Sequence, residues 1–116
     1  MVKLPQKPAN LRPYKINLIV NKQRFIKVEI NPLIATVKHP NEGITDELII
    51  YLLTQLNDET VEPDEKKYHQ WTYYAHSPLY NEKGRAYWLV WCVAHDEEPQ
   101  VIGLMDCYRI GKFDKK

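Results

Sequence analysis

The chain has 116 residues, 44% of them hydrophobic and 27% charged, which is one globular domain's worth of sequence. Lys+Arg at 16 against Asp+Glu at 15 leave a net charge of +1, too little to draw the whole molecule onto nucleic acid or an anionic membrane. The 4 glycines exclude a collagen-like chain, and 11% aromatic residues argue against wholesale disorder.

The first segment, Met1–Tyr14, holds Pro5, Pro8 and Pro13 and shows no periodicity, so it reads as an extended arm, with a single domain over 15–116. Its basic residues are not followed by the apolar stretch a signal peptide needs, and no window approaches the roughly 18 apolar residues of a spanning helix. The expectation is a soluble cytoplasmic protein with no membrane partner.

Alternation of Ile16, Leu18 and Val20 with polar neighbours predicts a half-buried strand, and Ile26, Val28 and Ile30 continue the pattern to Pro32, the two runs making a hairpin or one long bent strand. Leu33–Val37 fits either a helical turn or a strand extension, and Lys38–Gly43 is a loop. Thr45 is a good N-cap, and Asp46 and Glu47 place negative charge at the positive end of a helix dipole. Leu48, Ile49, Leu52, Leu53 and Leu56 then fall on one face of a helix over Thr45–Leu56, which Asn57 can close. After a polar loop over Asn57–Lys67 come three strand candidates, Gln70–His76, Arg85–Ala94 and Val101–Ile110. The unbroken apolar run Tyr87–Val93 suggests a central strand covered on both faces. The sum is an α+β architecture: an antiparallel four- to five-stranded sheet packed by one main helix.

Cys92 and Cys107 fall on neighbouring predicted strands. Hairpin counting across Ala94–Gln100 puts Cys92 nearer Gly103 than Cys107, so both thiols are expected as small buried residues rather than a disulfide.

The chain has no Gly-rich phosphate loop, no paired-cysteine zinc pattern and no His-Glu-x-x-His helix. Its one serine, Ser77, precedes Pro78 and forms no nucleophile elbow. No cofactor and no metal are expected. Of the histidines, His69 and His76 are spaced to opposite faces of a strand, and His95 sits in an acidic turn. His39 follows Lys38 in the loop that feeds the helix, where it can face an anion or cap a backbone group. A second cluster is Arg85, Tyr87, Tyr108 and Arg109, which an antiparallel hairpin brings to one end of the sheet. Two guanidiniums and two phenols there can clamp a phosphodiester, or the arginines can pair with Asp106, Glu82 or Asp114. Trp71, Tyr73, Tyr74, Trp88 and Trp91 are assigned mainly to the core, because the chain has only 2 phenylalanines.

The strands GRAYWLVWCV and VIGLMDCYRI, joined by AHDEEPQ, resemble the last two strands of RelE/ParE-like small toxins. KHPNEGITDELIIYLL is similar to the His-then-helix element of allied families, and the likeness spans Val28 to Ile110. It implies a RelE-like fold and, for many members, metal-independent RNA cleavage by attack of the ribose 2′-hydroxyl on the adjacent phosphate. Under that resemblance Arg85 and Arg109 are phosphate clamps, Tyr108 stacks or donates a proton, His39 is the base, and Lys38 and Tyr87 contact substrate. The implied partners are RNA or the ribosome and a cognate antitoxin protein. The chain departs from the pattern in having one clear helix rather than two, and in its near-neutral charge. The alternative is a non-catalytic protein-binding module or homodimeric scaffold built on the same sheet, so whether the protein is an enzyme stays open.

Overall fold

The computed structural model describes residues 10–64, 71–94 and 100–115. Five strands, β1 (Arg12–Val20), β2 (Gln23–Ile30), β3 (Trp71–Tyr80), β4 (Ala86–Ala94) and β5 (Val101–Arg109), form one sheet in the order β1-β2-β5-β4-β3. A single wide helical turn, Ile34–Lys38, and the helix α1 (Asp46–Thr54) lie between β2 and β3. The α+β class stands. The all-antiparallel sheet does not: β2 and β5 run parallel, with Val28 beside Ile102 and Ile30 beside Leu104. Turn signals specify hairpins, which are antiparallel of necessity. Docking one hairpin on another is a long-range choice written in neither.

The helix forms where its cap and stripe place it. The Thr45 hydroxyl accepts the Leu48 amide at 3.1 Å. Ile49, Leu52 and Leu53 are buried in one core with Leu18, Val20, Val28, Ile30, Leu89 and Ile102 of the sheet. The helix ends at Thr54, and Asn57 does not close it but accepts the Ile19 amide instead, tying the following turn to β1. At the other end Asp46 receives the Arg12 guanidinium at 2.7 and 2.9 Å and the Tyr14 hydroxyl, fixing the helix N-terminus to β1.

Two strands run across a proline beyond their predicted bounds. β1 starts at Arg12, inside the segment assigned to the arm, and β3 continues through Pro78 to Tyr80. Both are edge strands, where proline's missing N–H costs no ladder bond. Leu33–Val37 resolves toward a helical turn, anchored by buried Ile34. Residues 1–9 of the arm, together with His69 and His95, lie outside the described residues.

β5 is interrupted once. Val90 pairs with Asp106 but Trp91 with Leu104, so Met105 is an extra, outward residue and both Leu104 and Cys107 face the core. By the same alternation Tyr73, Trp88, Val90, Cys92, Asp106 and Tyr108 lie on the face opposite α1. Cys92 pairs with Gly103 as counted from sequence, and both cysteines are buried free thiols. Burial, then the nearby Asp106 and Glu42 charges, push the Cys107 thiol up to about 12, which makes it inert.

Candidate functional site

The antiparallel register sets Tyr87 beside Arg109 and Trp88 beside Tyr108, so two dipeptides from different strands meet at one end of β4 and β5. Successive side chains leave a strand on opposite faces, and this splits the predicted cluster. Tyr87 is buried on the α1 side, and the Arg109 guanidinium lies 5.4 Å from its ring centre. Tyr108 is on the other face, its ring parallel to Trp88 within 12° at 5.8 Å.

Arg109 is engaged. Its guanidinium makes a bidentate pair with Asp114 at 2.7 and 2.7 Å, and Nη1 also donates to the Ala86 carbonyl at 3.3 Å. Asp114 Oδ1 takes the Ala86 amide as well, which closes the C-terminal segment onto the start of β4. The guanidinium and that amide hold the Asp114 carboxyl down at about 2. Arg85 precedes the strand, is exposed, and adds to the positive potential at Asp114.

His39 does come to Tyr108. The two ring centres are 5.0 Å apart, so His39, Tyr108 and Trp88 form a row of rings across the loop, β5 and β4. Each imidazole nitrogen faces a carboxylate: Nε2 is 2.8 Å from Asp106 Oδ1 and Nδ1 is 3.2 Å from Glu42 Oε2. The carboxylates reach further into the sheet. Glu42 Oε1 accepts the Arg109 amide at 2.7 Å, Asp106 Oδ1 accepts the Cys107 amide at 2.9 Å, and the Lys38 ammonium is 3.4 Å from the Met105 carbonyl. Burial, then the Asp106 charge, raise the Tyr108 phenol above its ordinary value, so the ring is neutral and uncharged at physiological pH.

These contacts share one cause. β2 runs alongside β5 only as far as Leu104, so the outer edge of residues 105–109 has no strand beside it. Loop 38–42 takes that place, and its side chains bond the outward-facing backbone. Glu42, Asp106 and Trp88 are therefore the residues the sequence reading missed. In sequence Trp88 reads as core, Asp106 as no more than a surface partner for an arginine, and nothing local to Glu42 points to β5. Among the described residues no group of His, Cys, Asp and Glu side chains could hold a metal ion. Among them, too, no helix is long and apolar enough to cross a membrane.

No protein-family model, curated protein or solved structure matches the chain.

Proposed function

We propose that the protein is a non-catalytic, self-associating scaffold module whose contact surface is the end of β5 and its flanking loop. The observation that carries this is the strandless edge at residues 105–109. Exposed apolar side chains sit on the two segments that meet there: Leu33 (50% exposed) and Val37 (66%) on the helical turn, and Met105 (39%) at the bulge of β5. Loop 38–42 covers this edge with side chains rather than a strand, and a sheet edge without a strand neighbour, next to exposed apolar residues, is one to which another chain can add. Clustered apolar and aromatic residues are also what anchors protein interfaces. The near-neutral charge fits a protein partner better than a nucleic acid, whose affinity comes mainly from phosphate neutralisation.

The proposal predicts a concentration-dependent dimer by sedimentation equilibrium, weakened by Val37→Asp and by Met105→Asp. A strict monomer that cleaves RNA would overturn it.

A second reading, RelE-like cleavage of RNA, is favoured by the approach of His39 to Tyr108. It must accommodate an imidazole with a carboxylate at each nitrogen and an Arg109 already paired with Asp114. A base needs a nitrogen directed at the hydroxyl it deprotonates. The cleavage reading predicts growth arrest on expression in bacteria, relieved by Arg109→Ala. Harmless expression of the unaltered protein, with intact RNA in vitro, would remove it.

A further inference from the structure

Three contacts made by loop 38–42 stand in for part of what a neighbouring strand would offer β5. Where a strand would present a carbonyl oxygen, the Glu42 carboxylate accepts the Arg109 amide, while the Cys107 amide is met within β5 by its neighbour Asp106. Where it would present an N–H, the Lys38 ammonium lies at the Met105 carbonyl. Where it would set a side chain beside Tyr108 on the same face, the His39 ring lies with its centre 5.0 Å away, tilted by 32°.

We propose that residues 105–109 are a strand-pairing site held closed by loop 38–42, and that its occupant is a second copy of this chain paired antiparallel about a two-fold axis through Tyr108. This rests on the scaffold reading above and names its geometry. The two-fold follows from register. Residues 107 and 109 turn their amides away from β4, so an antiparallel copy centred on Tyr108 sets Cys107 opposite the other copy's Arg109. Each such pair exchanges two backbone hydrogen bonds. The two Tyr108 side chains then meet at the close, non-hydrogen-bonded position, in the place His39 now fills. The ring row Trp88–Tyr108 continues across the axis into its own copy.

The loop is bounded by fixed supports on both sides. Ile34 before it and Ile44 after it are buried anchors. Between them Asn41 and Gly43 carry positive φ of 67° and 68°, turn conformations that concentrate the change of direction in two residues.

The test compares dimer dissociation constants by sedimentation equilibrium for the unaltered chain, Glu42→Gln, Glu42→Ala and the double variant His39→Ala/Glu42→Ala, each checked for native circular dichroism. Glu42→Gln keeps an acceptor for the Arg109 amide and should behave as the unaltered chain. The two releasing variants should dimerise at least about tenfold more tightly, with the amides of 107 and 109 protected from hydrogen exchange in the dimer. Adding Tyr108→Ala, or Met105→Lys to charge the edge, should abolish that gain. Releasing variants that fold and dimerise only as tightly as the unaltered chain would overturn the strand-pairing site and leave the scaffold reading standing. Absence of a dimer in every variant would overturn both.

Discussion

Gly103 is the position where a single methyl group should change the sign of its effect according to one neighbour. It lies in β5 opposite Cys92, and a Cβ built on it would sit 3.0 Å from the Cys92 sulfur. The sulfur belongs to a short side chain that is itself 2% exposed, so it must yield within the packed interior. Gly103→Ala therefore overpacks the site, at a cost of about 1–3 kcal/mol. Removing a glycine from the middle of a strand returns about 0.5–1 kcal/mol. The expected net loss is on the order of 1 kcal/mol, read by urea unfolding at constant m-value. In a Cys92→Ala background the obstruction is gone, and the same Gly103→Ala change should stabilise by about 0.5–1 kcal/mol. The double-mutant cycle then shows a coupling of about 1–3 kcal/mol between the two positions. A Gly103→Ala effect that is the same in both backgrounds would refute the close approach as the reason for the glycine.

Acid should weaken the fold through His76. Its Nε2 accepts the Trp91 indole N–H at 2.8 Å, and burial holds its pKa below the ordinary 6.5. The unfolded chain binds this proton first, so stability is full above about pH 6.5 and falls as the pH drops below it; His76→Gln should flatten that slope in chemical unfolding across pH 5–7. The Arg109–Asp114 pair behaves differently, because the Asp114 carboxyl is held at about 2. Its contribution should persist above the ordinary 3.8 and be lost as the pH falls through about 2, and Asp114→Asn should open the C-terminal segment to limited proteolysis at neutral pH. Thr45→Ala removes the acceptor of the Leu48 amide and should cost about 1 kcal/mol by thermal unfolding, with Thr45→Ser close to neutral.

The elements of the fold were largely legible from local chemistry. Alternation marked the cores of β1 and β2, and Thr45 with its apolar stripe marked α1. Hairpin counting placed Cys92 near Gly103, with which it pairs, but not the one-residue shift that the Met105 bulge adds beyond Trp91. The candidate site was legible only in part. Hairpin geometry brought the backbones of Tyr87, Tyr108 and Arg109 together, but strand alternation put the Arg109 and Tyr108 side chains on opposite faces. Arg109 went to Asp114, one of the surface pairings the sequence reading had allowed, rather than being left free for a phosphate.

Periodicity, capping and turn chemistry are properties of residues within a few positions of one another, so the amino-acid order alone dictated the strands, the helix and the hairpins. The direction in which the two hairpins dock, the early departure of β2 from β5, and the closing of the exposed edge by His39, Glu42 and Asp106 were decided by tertiary structure. They depend on contacts 67 residues apart, such as His39 to Asp106 and Glu42 to Arg109. A carboxylate carries no local mark of the distant amide that will claim it; that pairing exists only once packing has left the amide without a strand to meet.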